Sequence, residues 1–201
     1  MFAAIILAAG ASKRMGYPKA LMPYRGHPFL TGILEASLAA GIELRVVVLG
    51  YYADKIRKEI DLSGVIATMN EDLDSGPIGS IRAGIRALAP HSVQAALVWP
   101  VDRPHVPVAT VAALLDAFRE SHQPVVVPTF QGRRGHPVLF ARSLFDELLA
   151  APNDQGARYV VRRDPTRVAT VEGADSSVLE DFNTPDDYKE LLRREDKVRG
   201  D

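Results

Sequence analysis

Largely apolar runs and runs with helical spacing alternate through the first two thirds of the chain. The apolar runs are Ala3–Ala8, Leu44–Leu49, Val65–Met69, Ala95–Trp99 and Val125–Val127. A strand with one face in water alternates apolar and polar residues. These runs do not, so they are expected to form a sheet covered on both faces. Between them lie Pro28–Ala40, Ala53–Ile60, Pro77–Leu88 and Pro107–Arg119, whose apolar positions recur every three or four residues, as with Leu30, Ile33, Leu34 and Leu38. This rhythm predicts a single-domain α/β fold with a Rossmann-like, doubly wound, mostly parallel sheet. It changes after Pro128. There Gln131–Gly135 reads as a polar turn between two short strands, a small antiparallel addition in the C-terminal third. Ser143–Ala150, Gln155–Arg163 and Pro185–Arg194 are expected to be helical and Val168–Val171 a strand. Residues 1–194 read as one domain, followed by a charged tail, 195–201, expected to fray.

Composition narrows the chemistry. The chain has 201 residues, 47% hydrophobic and 24% charged, which suffices for one well-packed core. The formal net charge is −1, too small to draw nucleic acid or an acidic membrane, so any cation cluster acts locally. There is no cysteine, which excludes disulfides, thiolate metal sites and a cysteine nucleophile. The apolar stretch at residues 3–9 is too short to span a bilayer and no basic segment precedes it, so a cytoplasmic protein is expected.

The first loop carries the strongest chemical signal. In Leu7–Lys19, LAAGASKRMGYPK, small residues leave the first strand and two cations, Arg14 and Lys19, follow. Gly10 and Gly16 allow backbone conformations or close approaches that a side chain would block. Arg14 offers a planar fork and Lys19 a point charge, both suited to phosphate oxygens. The spacing fits neither G-x-x-x-x-G-K-[ST] nor G-x-G-x-x-G. On these grounds alone the loop is either a phosphate cradle or a strand-to-helix turn with two solvated cations.

The pattern L-A-A-G-x-S-x-R-M-G-x-x-K resembles the signature loop of nucleotidyltransferases that build nucleoside-diphosphate sugars, alcohols and molybdenum-cofactor dinucleotides. Four more patches follow in that family's order, so the resemblance covers residues 3–194. It implies the nucleotide-diphospho-sugar transferase type of fold. It places Leu7, Ala8, Ala9 and Gly10 against base and ribose, and Arg14 and Lys19 on the triphosphate. VWPVDRP places Asp102 on magnesium; the alternative is a capped turn. NEDLDSGPIGS places Asn70, Gly76 and Ser80 at the base; the alternative is helix punctuation. GRRGHPVLF and NDQGAR resemble the molybdenum cofactor cytidylyltransferase branch of MobA-like proteins, and imply that Gly135, His136, Pro137 and Arg158 meet the acceptor. Arg133 and Arg134 are neighbours, so one of the two is expected to face the site. In DFNTPDDY the second magnesium ligand falls on Asn183, where many members have aspartate, with Asp181 as a substitute ligand. Thr184 is also a plausible N-cap.

The resemblance implies Mg2+-dependent transfer of CMP from CTP to a phosphorylated acceptor, with Lys19, Arg14 and Asp102 catalytic. An L-A-A-G loop goes with pyrimidine nucleotides. The acceptor implied is molybdopterin and the eventual recipient a molybdenum hydroxylase. The alternatives are a sugar-phosphate or other phosphorylated-alcohol acceptor, and a non-catalytic module that binds and delivers a cofactor. All require Lys19, Asp102 and Asn183 to share one cleft.

Overall fold

The computed structural model describes residues 1–173 and 175–199. Its strands are β1 (Phe2–Ala8), β2 (Pro23–Tyr24), β3 (His27–Pro28), β4 (Leu44–Leu49), β5 (Ile66–Met69), β6 (Ala95–Pro100), β7 (Val125–Phe130), β8 (Arg133–Arg134), β9 (Val138–Ala141) and β10 (Val168–Glu172). Its helices are α1 (Phe29–Ala39), α2 (Ala53–Glu59), α3 (Pro77–Ala87), α4 (Val108–Ser121), α5 (Phe145–Ala150), α6 (Ala157–Arg163) and α7 (Pro185–Arg199). The main sheet runs β10-β7-β9-β6-β1-β4-β5, with β8 paired to β7.

The predicted α/β sheet is present, and each solid apolar run is a strand within it. Successive residues of β1 serve opposite layers. Phe2, Ala4, Ile6 and Ala8 pack with Leu30 and Ile33 of α1 and Leu114 of α4. Ala3 and Ile5 pack with Ile81 of α3, Phe145 of α5 and Val160 of α6. Both faces are therefore buried, which is why neither pattern shows a polar side. Helix α3 lies close enough to β1 that a Cβ at Gly84 would run into Ile5 Cγ2. No helix among the described residues is long and apolar enough to cross a membrane.

The antiparallel element sits inside the sheet rather than at its margin. Strand β9 lies between β6 and β7 and runs against both. The α4 crossover returns β7 in the direction of β6, one strand width away, and β9 fills the gap. The β7-to-β9 connection is too short for a crossover, so it reverses the chain. The hairpin arm β8 occupies part of the expected polar turn. The last helix continues past Arg194 to Arg199, so Glu195–Arg199 prolong it as backbone, while Gly200 and Asp201 lie outside the described residues.

From β1 the chain winds outward through β4 to β5, then returns to place β6 on the other side of β1. The strand order reverses at β1/β6, and a crevice opens beyond the carboxyl ends of these strands. The register sets Leu7 beside Pro100, and Val101 N–H donates to Leu7 O at 3.2 Å. The Gly10 loop and the Asp102 turn thus leave the sheet as neighbours.

Candidate active site

The crevice is a cleft of about 1100 Å³. The segments that line it come from the β1, β5 and β6 ends, the β8 arm, the turn before α6 and the chain before α7. Of the residues singled out from sequence, Leu7, Ala8, Ala9, Gly10, Arg14, Lys19, Asn70, Gly76, Ser80, Asp102, Gly135, His136, Arg158, Asp181 and Asn183 border it. Pro137 does not; it is buried behind the wall, in a cis peptide with His136. Arg133 and Arg134 both border the cleft, where one was expected. The β8 arm is itself the rim, so both of its residues lie along the edge.

The first loop is tied down by its own hydrogen bonds and by Tyr52. Ser12, at φ 47°, turns the chain, and its carbonyl accepts from Met15 and Gly16 N–H at 3.0 Å. Ser12 Oγ accepts from Lys19 N–H at 3.2 Å, and Tyr52 O–H donates to Ala11 O at 3.0 Å. Gly10 has a different reason to lack a side chain. A Cβ there would meet no protein atom within 4 Å, so the space it leaves is cleft rather than core.

Lys19 Nζ donates to Asp102 Oδ2 at 3.0 Å and to Asn183 Oδ1 at 2.6 Å. Residues far apart in sequence thus converge on one cation. The Asn183 turn is fixed from below by a reciprocal cap on α7. Thr184 Oγ1 accepts from Asp187 N–H at 3.2 Å, while Asp187 Oδ2 accepts from Asn183 N–H at 3.0 Å and Thr184 N–H at 2.8 Å. These bonds, those to Asn183 and Thr184 foremost, hold the Asp187 carboxyl below its ordinary pKa.

At the β5 end, Asn70 is buried. Its Oδ1 accepts from Asp72 N–H at 3.0 Å, which orients the amide and turns Nδ2 onto Ser80 Oγ at 3.1 Å. At the far end, a Cβ at Gly135 would run into Val178 O. His136 N–H donates to the same carbonyl at 2.8 Å. Burial, then the charge of Arg103, pushes the His136 imidazole down to about 4, so it is neutral at ordinary pH. Arg133, Arg134, Arg158 and Arg162 border the same cleft, and the Arg158 charge adds to the lowering. One end of the cleft therefore has small residues and amide groups, the middle a lysine between two oxygens, and the other end arginines around a neutral histidine.

Arg103 was not singled out from sequence. It is a buried cation whose guanidinium bonds backbone carbonyls of the segment before α7. No local pattern marks it, because its partners lie far along the chain.

An open α/β sheet with a cation-bearing cleft at its switch point is a setting suited to phosphorylated ligands. A family model described as the MobA-like NTP transferase domain matches residues 4–168, and the chain belongs to that family of nucleotidyltransferases. The chain is 34% identical over 196 residues to nicotine blue oxidoreductase of Paenarthrobacter nicotinovorans, covering 94% of this chain and 95% of the relative. It is 26% identical over 203 residues to the purine catabolism protein PucB of Bacillus subtilis (strain 168), covering 94% and 95% respectively. Among solved structures, Rv0371c of Mycobacterium tuberculosis H37Rv is 30% identical with a TM-score of 0.81, over 96% of this chain and 97% of that one. A complex of Rv0371c with manganese gives 29% identity and a TM-score of 0.76, over 96% of this chain and 98% of that one.

Proposed function

We propose that this protein transfers CMP from CTP to a phosphorylated acceptor, molybdopterin by its resemblance to the cytidylyltransferase branch, and releases pyrophosphate. The observation that carries the reading is the meeting of Lys19 Nζ with Asp102 Oδ2 and Asn183 Oδ1 at 3.0 and 2.6 Å in the cleft of Gly10.

In this reaction an acceptor phosphate oxygen bonds to the α-phosphorus of CTP while the bond from that phosphorus to the bridging oxygen of the β-phosphate breaks. A phosphate monoester is mostly dianionic at pH 7, so its oxygen attacks without a general base. A neutral His136 suits this, because its role is to position rather than to take a proton. Two anions must be brought together, and the residues answer that need by alignment and charge. Lys19 and Arg14 hold the β- and γ-phosphates, and the open space at Gly10 admits the nucleotide against the backbone. Arg158 and its neighbours at the far rim draw in an anionic acceptor.

Asp102 Oδ2 and Asn183 Oδ1 suit a hard divalent cation. Both are oxygen donors and both already face one cationic point. Held by Asp102 and Asn183, a divalent cation would supply charge neutralisation for bringing two anions together. The manganese complex of Rv0371c supports divalent-metal dependence.

Base choice follows from Ser80. Its oxygen accepts from Asn70, and among the described residues its own hydrogen finds no acceptor. Ser80 therefore offers the cleft a donor. Cytosine presents an acceptor at its ring N3, where uracil presents N–H. The L-A-A-G loop, with Ala9 at its third position, supports a pyrimidine over a purine by the same resemblance. A larger thermal shift with CTP and Mg2+ than with UTP or GTP tests this; the opposite order overturns it.

The name of the Paenarthrobacter relative suggests an oxidoreductase instead. The first loop has no G-x-G-x-x-G spacing, and its cation-and-oxygen cluster matches phosphate chemistry.

A further inference from the structure

Arg103 follows Asp102 directly and borders the same cleft. Its side chain is only 8% exposed as a residue, which is costly for a guanidinium unless its donors are used. They are used on a single stretch of chain. Nη1 donates to Val178 O at 2.9 Å and to Glu180 O at 2.7 Å, and Nη2 lies 3.8 Å from Asp181 Oδ2. The Arg103 backbone is fixed as well, since its carbonyl accepts from Trp99 Nε1 at 3.0 Å and Trp99 is fully buried in the core. The adjacent Asp102 carbonyl accepts from Phe182 N–H at 3.2 Å. Val178 O serves a third segment, taking the His136 N–H at 2.8 Å.

We propose that Arg103 is a positioning residue of the transfer site: it clamps the 178–182 segment to the Asp102 turn so that the Asn183 oxygen meets the Asp102 oxygen. The inference rests on the metal reading given above. The physical reason is rigidity. Asn183 sits on an irregular stretch between β10 and α7, held from one side by the Thr184 cap. A divalent cation needs both oxygens at fixed separation, and the Arg103 bonds to Val178 O and Glu180 O add to the single Phe182 N–H bond that ties this segment to the Asp102 turn. The planar guanidinium reaches two carbonyls at once, which a lysine ammonium on a flexible stem does less well.

The test measures Mn2+ uptake by electron paramagnetic resonance, with and without CTP, in wild type, Arg103→Met, Arg103→Lys and Asp102→Asn. Melting temperature and metal-free CTP affinity are read alongside. The expected result for Arg103→Met is Mn2+ affinity lower by about 10- to 100-fold, in line with loss of other groups that orient metal ligands. Metal-free CTP binding stays near wild type, and kcat falls while KM for CTP does not rise. Arg103→Lys, which keeps the charge and one carbonyl bond, falls between the two and covers the case in which the methionine variant does not fold. Wild-type Mn2+ affinity in Arg103→Lys or Arg103→Met, with affinity lost in Asp102→Asn, overturns the clamp and leaves the transfer reading standing. Unchanged Mn2+ affinity in Asp102→Asn overturns the metal reading itself, and the clamp with it.

Discussion

Removing the Asp102 carboxylate takes away one of the two oxygens that hold Lys19 Nζ. Asp102→Ala is expected to slow pyrophosphate release at saturating CTP on the order of 10²- to 10³-fold, as for loss of one preorganised electrostatic group. Gly10→Val should behave differently. No protein atom crowds that position, so the variant keeps its melting temperature but loses CTP affinity; equal affinity contradicts the cradle. Two buried histidines predict a pH dependence of stability. Burial pushes His105 and His136 to about 4, below the ordinary value of 6.5. The unfolded chain binds these protons more readily, so their contribution is full above about pH 6.5 and is lost as pH falls toward about 4. Among the described residues neither ring nitrogen of His105 has a hydrogen-bond partner, and Nε2 lies 3.8 Å from Glu180 Oε2, whose charge offsets part of the effect of burial. His105→Leu should therefore show a smaller drop in melting temperature between about pH 7 and pH 5 than wild type; an equal drop removes His105 as a source. At this scale the sequence was informative wherever chemistry and position coincide in one short motif, as at Gly10, Lys19 and Asp102. It was silent on Arg103, whose two carbonyl partners lie 75 and 77 residues further along the chain.

Elements were legible in proportion to their length. The long apolar runs became β1, β4 and β6 because burial on both faces leaves no other pattern. The pairs β2–β3 and β8 are two-residue strands, too short to show a period, and were missed or read as turn. Position within the sheet was not legible for β9 either, because an apolar run does not state its direction. The α7 start was legible, since Thr184 precedes Pro185 and Asp187 completes the cap. Thr184→Ala is expected to cost about 0.5–2 kcal/mol in chemical denaturation, typical of a lost N-cap. Because the cap also carries Asn183, the same variant should weaken Mn2+ uptake more than it weakens metal-free CTP binding. Equal loss of both contradicts a link between cap and metal donor.

At the scale of the molecule, the fold explains why residues scattered from Leu7 to Asn183 form one site. The strand order reverses between β1 and β6, and every segment that leaves the sheet there opens into the same crevice. With a net charge of −1, the chain has no broad field to gather anions. On the proposed reading, attraction for CTP and acceptor would come from the local cations that border the cleft, Lys19, Arg14 and the arginines of the β8 arm and α6. The most direct measurement of the whole account is pyrophosphate release by the purified protein with Mg2+, molybdopterin and each common nucleoside triphosphate in turn. The account predicts release with CTP well above the others, dependent on both acceptor and metal. No release with any triphosphate, although CTP binds and the metal is taken up, would contradict it and make the cleft a site that holds its ligand without reacting it.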